Sequence, residues 1–133
     1  MKGFTLIELI VYIAIVCVVL AFIINFGLNV VYGSVKAQAI RETQQNARFA
    51  MEKITRSIRQ GLDPLSVFNV SAGVLYENGI ALTTDRVRVT DLDFVLIDNS
   101  YKVSLEIEHY NPGNRPEYQA LVNMESTALS CNP

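Results

Sequence analysis

Tryptophan is absent from this chain, histidine occurs once (His109), cysteine twice (Cys17 and Cys131), and no proline precedes Pro64. With one histidine and no second His or Cys at ligand spacing, a zinc-type site is excluded. His109 itself stands at the end of an alternating segment and reads as a surface or packing residue. Cys17 lies inside an apolar run and Cys131 at the far end of the chain, so no disulfide framework forms. Asp85, Asp91, Asp93 and Asp98 lack the spacing of a calcium loop and read as solvated strand edges. There is no glycine-rich phosphate loop and no Ser-His-Asp or Cys-His arrangement. The chain therefore reads as non-enzymatic, without a cofactor. Aromatic and basic residues do not interleave in the acidic C-terminal part, so nucleic acid is not an expected partner. Tyr101, Tyr110 and Tyr118 read as half-buried packing.

Charge is scarcest at the start. From Gly3 to Ser34 the only charged side chain is Glu8. From Phe4 to Phe26 only Thr5, Glu8 and Asn25 interrupt an apolar run, which as a helix spans roughly 35 Å and crosses a bilayer. A secretory signal would be shorter, with a longer basic start and a small-residue cleavage site after the run. Here glycine precedes the run and a carboxylate follows it five residues later. The pattern reads as a retained membrane helix with a processing site in front of it.

Gly3-Phe4-Thr5-Leu6-Ile7-Glu8 resembles the N-terminus of type IV prepilins and of the pseudopilins of type II secretion. The resemblance covers Phe4 to about Gln60. It implies a leader, Met1-Lys2-Gly3, cut between Gly3 and Phe4 by prepilin peptidase, with N-methylation of the new Phe4 amine. It implies that Glu8 guides assembly by meeting the Phe4 amine of a neighbouring subunit. Its implied partners are the peptidase/methyltransferase, other pilin or pseudopilin subunits, an inner-membrane assembly platform and membrane lipid. Many pilins close a C-terminal loop with a disulfide; lacking one, this chain leans toward pseudopilins or cysteine-poor minor pilins. Val87 to Ala128 more loosely resembles minor pseudopilin J and PilW-like minor pilins.

Without proline before Pro64, one helix is expected from Phe4 to Gln60, about 57 residues and roughly 85 Å. Its second part is amphipathic: Ile40, Ala47, Met51, Ile54 and Ile58 fall on one face and await a sheet. Gly61-Leu62-Asp63-Pro64 ends it. Leu65–Val70 and Val74–Leu82 read as short strand pieces, with a turn at Glu77-Asn78-Gly79. Val87, Val89, Leu92, Phe94 and Leu96 alternate with a change of phase near Thr90, which predicts a bulge. A turn follows at Asp98-Asn99-Ser100. Val103, Leu105 and Ile107 alternate cleanly, a rigid loop covers Asn111–Pro116, and Tyr118–Ala128 is the last strand. The expectation is an α+β, pilin-like fold: a long helix, transmembrane then amphipathic, packed on one C-terminal antiparallel sheet of four or five strands.

The expected domains are leader 1–3, transmembrane half-helix 4–34, amphipathic half-helix 35–60 and β-rich head 61–133. Net charge is −2, which hides an asymmetry. Residues 35–60 hold six basic and two acidic side chains, and residues 61–133 hold four basic and ten acidic. This fits two solvated surfaces of opposite sign, or matching between one subunit's helix and another's head. Lys36 and Arg41 after the span, against Lys2 before it, favour a cytoplasmic C-terminus; the resemblance implies an extracytoplasmic head in a single-pass inner-membrane protein. The other reading is a single-pass anchored binding or sensor domain that never polymerises, which needs neither Gly3 nor Glu8.

Overall fold

The computed structural model describes residues 3–130. A 54-residue helix, α1 (Leu6–Arg59), runs without a break. It is shared by two compact units, one ending at Ser34 and one starting at Val35. Among the described residues of the first unit no side chain is buried: Leu6, Ile7, Phe22, Phe26 and their neighbours are all exposed. This stretch is long and apolar enough to cross a membrane. In a bilayer a backbone has no hydrogen-bond partner but itself, so a helix that enters one tolerates many β-branched residues.

In the second unit α1 is amphipathic. Its buried side chains are Ala39, Thr43, Ala47, Ala50, Met51, Ile54, Ser57 and Ile58. Ile40, expected on this stripe, is only half-buried and flanks it. The stripe starts one residue earlier, at Ala39, and is built of smaller residues than the hydrophobic pattern suggests. The buried Thr43 hydroxyl is satisfied by donating to the Ala39 carbonyl at 2.8 Å, a bond that keeps a polar side chain tolerable in a helix interior. The Ser57 hydroxyl is buried without a partner.

Gly61 ends the helix in the left-handed region, φ 80°. Its N–H donates to the Ile58 carbonyl (3.0 Å) and the Leu62 N–H to the Ser57 carbonyl (3.2 Å). This pair of bonds is a Schellman cap, which favours glycine because a Cβ is strained there. Arg56 and Arg59 occupy the last turn, where cations suit the negative end of the helix dipole.

The chain then departs from the expected strand. Pro64–Val67 forms a one-turn helix, α2, capped by the Asp63 carboxylate accepting from Leu65 N–H. Asp followed by Pro at the first helical position is a helix start, and this overrides the apolar run at Leu65. Strands β1 (Phe68–Ser71), β2 (Val74–Glu77) and β3 (Ile80–Ala81) make one antiparallel sheet. Strands β4 (Val87–Ile97), β5 (Ser100–His109) and β6 (Leu121–Leu129) make a second. The single sheet of four or five strands is thus two sheets of three. The split has a local cause. Leu82 N–H donates to the Leu75 carbonyl and the buried Thr83 hydroxyl accepts the Leu75 N–H. These two bonds close the edge of the first sheet before β4 begins. The two sheets meet where Val89 N–H donates to the Gly73 carbonyl at 2.8 Å. Gly73 has φ 77°, which favours glycine, and a Cβ there would lie 2.6 Å from the Arg88 side chain, so any other residue is strained and must displace Arg88.

The expected turn at Asn78-Gly79 joins β2 and β3, both residues having positive φ. The register slips between Val89 and Asp91, so Thr90 is the bulge that the phase change foretells. It lets Val87 and Val89 before it, and Leu92 and Phe94 after it, face the same side. The last strand begins at Leu121 rather than Tyr118, because Pro116–Tyr118 closes a 3-10 turn. Ala47, Ala50, Met51, Ile54 and Ile58 of α1 form one core with Phe68, Leu75, Val89, Val103, Leu105 and Ile107. The helix therefore lies against the inner faces of both sheets.

Candidate functional site

Two groups of side chains carry the functional questions. The first is the head of α1. Thr5 stands at the N-cap: its carbonyl accepts from Leu9 N–H (3.2 Å) and Glu8 N–H (3.1 Å). Its hydroxyl lies 3.4 Å from the same Glu8 N–H. Threonine followed three residues later by glutamate is the sequence of a capping box. Here only the threonine half of the box is made, which leaves the Glu8 carboxylate exposed. Among the described residues that carboxylate has no hydrogen-bond or ion-pair partner. It is the acidic residue of the helix's first turn, where the helix dipole favours an anion. Phe4 is 82% exposed. Gly3, Phe4 and Glu8 thus lie together at one helix end, surrounded by exposed apolar side chains. Met1 and Lys2 of the expected leader, and Cys131, lie outside the described residues.

The second group has no sequence signature. Glu42 of α1 receives the Arg86 guanidinium at 2.9 Å and the Gln38 amide at 3.1 Å. Its other oxygen lies 3.5 Å from His109 Nε2. The Gln38 bond holds the Glu42 carboxyl below the usual carboxylate range; partial burial opposes this, and Arg86 and His109 add to the lowering. One turn later, Asn46 accepts the Thr84 N–H at 3.1 Å. Together Glu42 and Asn46 hold the segment before β4 against the helix. His109 is nearly buried and stacks on Tyr118 with ring centres 5.6 Å apart. Its Nδ1 is buried without a partner. His109 is therefore a packing residue that also touches a carboxylate. The signal that would have found this cluster is tertiary: Glu42 and Arg86 are 44 residues apart.

The other candidates disperse. Asp91 and Asp93 lie on β4 and Asp98 in the turn after it. Among the described residues no three His, Cys, Asp or Glu side chains assemble as a metal site. Tyr101 packs against the core, whereas Tyr110 is exposed and carries the Arg88 guanidinium 5.4 Å from its ring centre. Cys17 is a free, exposed thiol on the apolar helix.

Residues 1–24 match the family model described as the prokaryotic N-terminal methylation motif. No curated protein and no solved structure matches the chain. The match ends inside the apolar stretch of α1. An N-terminal methylation motif, the long apolar helix that it heads and the small antiparallel sheets behind it fit a type IV pilin or pseudopilin.

Proposed function

We infer that the chain is a filament subunit, a pseudopilin or minor pilin, made as a membrane-anchored precursor. The proposed division is leader 1–3, membrane helix 4–34, amphipathic helix 35–60 and head 61–133. Prepilin peptidase cuts between Gly3 and Phe4, and the Phe4 amine is N-methylated. The head is extracytoplasmic, and the subunit is drawn from the inner membrane into a filament by packing of the apolar helices. Its role is structural and not enzymatic. Its partners are the peptidase, the assembly platform, membrane lipid and neighbouring pilin-type subunits.

The observation that carries this reading is one carboxylate, Glu8, exposed and unpaired among the described residues, on the first turn of the apolar stretch that begins α1. A charge in hydrocarbon is costly unless paired. Cleavage after Gly3 creates the complementary charge, an amine with a reference pKa of about 8. Pairing Glu8 with the Phe4 amine of the adjacent subunit removes two poorly solvated charges at once, and only when the helices dock in axial register. A plain anchor needs neither the glycine nor the carboxylate. The test is tandem mass spectrometry of the membrane-extracted chain from cells with an active prepilin peptidase. The expected N-terminal peptide begins at Phe4 and carries one methyl group. A chain still bearing Gly3 in those cells refutes the processing reading.

A further inference from the structure

Two faces of the unit that starts at Val35 carry opposite charges left uncompensated within it. Alternation places Val89, Leu92, Phe94, Val103, Leu105 and Ile107 toward α1. The paired residues between them face away from α1, on the outer side of the second sheet. Asp91 and Glu106 are directly opposed there across β4 and β5, and Asp93 lies two residues on. Like charges in that register destabilise a strand pair. Another acid on this face, Glu125, is matched by Lys102 at 3.1 Å, and Glu108 has Arg88 opposite it in register. Glu106 accepts the Thr90 hydroxyl at 2.9 Å. Among the described residues, no cation pairs with Asp91, Asp93 or Glu106.

The complementary face flanks α1. Arg48, Glu52, Arg56 and Arg59 recur at helical spacing and, with Met51 and Met124, line a groove of about 550 Å³. The three arginines are exposed, and among the described residues none is ion-paired. Arg56 and Arg59 lie about one turn, roughly 5 Å, apart along the helix. Directly opposed residues in an antiparallel pair are separated by a similar distance, about 5 Å.

We propose that the acidic outer face of β4 and β5 on one copy docks on the arginine groove of α1 and β6 on a second copy of this chain. The acidic face points away from α1, so the two surfaces of one copy cannot meet each other. The contact is heterologous, and a heterologous contact whose rotation does not close propagates as an open helical array. It rests on the filament reading and adds to it a surface outside the membrane helix that selects the neighbour. Charge pairing there sets orientation and discriminates against wrong neighbours.

The test uses the full chain in its membrane, with Cys17→Ser and Cys131→Ser. Arg56→Cys and Asp91→Cys, both at exposed positions, are combined and oxidised. The expected product is a ladder of dimers, trimers and higher species. Arg59→Glu should abolish the ladder, and Asp93→Lys added to it should restore the ladder, which a merely misfolded variant would not do. Raising salt to 1 M, where the Debye length is about 3 Å, should weaken it. No ladder, a dimer alone, or a ladder indifferent to Arg59→Glu overturns the proposal. The cross-link reads the pairing whether or not filaments can be sheared from the cell. Shearing of the unsubstituted chain scores the filament reading separately.

Discussion

Ile54→Ala is the sharpest probe of how the head is held. Ile54 is fully buried between α1 and a wall of Val103, Leu105 and Ile107, themselves fully buried. Truncating a buried isoleucine to alanine costs about 2–5 kcal/mol, the larger values applying where neighbours cannot collapse into the space. Their strand, β5, is held to β4 by a ladder continuous apart from the Thr90 bulge. We therefore expect about 4 kcal/mol. A domain of this size is stable by roughly 5–15 kcal/mol, so the loss is a large share of the total. With a urea slope of about 2 kcal/mol/M, the midpoint falls by about 2 M. The assay is urea unfolding of a fragment beginning at Val35, followed by circular dichroism. Ile54→Val should cost only about 1 kcal/mol. Phe49→Ala, at a side chain 45% exposed, should cost much less than Ile54→Ala. A fragment beginning at Gly61 lacks the whole stripe and should show no cooperative transition. If it proved as stable as the longer fragment, or if Phe49→Ala matched Ile54→Ala, the packing argument would fail.

Three further predictions concern the same unit and use the same unfolding assay. Gly61→Ala forces a Cβ into the left-handed cap and should destabilise by about 1–2 kcal/mol; no change in midpoint contradicts the cap. Ser57→Ala removes a buried hydroxyl without a partner and adds helix propensity, so it should be neutral or stabilising by up to about 1 kcal/mol; a clear loss means the hydroxyl has a partner. Glu42 has a lowered carboxyl pKa in the folded chain, so its contribution is present above the ordinary carboxylate pKa and lost as pH falls through the lowered one. Stability should drop as pH goes below about 4.5, and Glu42→Gln should flatten that part of the profile; an unchanged profile contradicts the role of the cluster.

What the sequence made legible was what depends on short spacing. The methylation motif, the unbroken helix and its end at Gly61 each rest on neighbours within one or two turns. So does the bulge at Thr90, because a phase change in alternation has no other cheap solution. Spacing marks Ala47, Met51, Ile54 and Ile58 of the stripe on α1 but also Ile40, which flanks it, and gives no sign of Ala39, Thr43, Ala50 and Ser57. Small residues are uninformative until the facing sheet is known. The division into two sheets has no local pattern, because the edge is closed by two bonds made by Leu75, from the Leu82 N–H and to the Thr83 hydroxyl. Asp63-Pro64 carries a helix-start signal that competes with the apolar residues after it, and in the structure the cap prevails over Pro64–Val67. The Glu42, Arg86 and His109 cluster has no local pattern. The pairing of Asp91 with Glu106 required the register beyond the bulge.

The central claim is that Glu8 serves assembly and not insertion. Its most direct measurement is Glu8→Leu in the full chain, expressed beside the unsubstituted chain, with filaments sheared from cells and both forms quantified in the sheared and membrane fractions. The substitution makes the span more apolar, so cleavage and membrane insertion should be unchanged. The variant should be missing from the sheared filaments while remaining abundant in the membrane. If Glu8→Leu enters filaments as well as the unsubstituted chain does, the carboxylate has no register role and the assembly account is wrong.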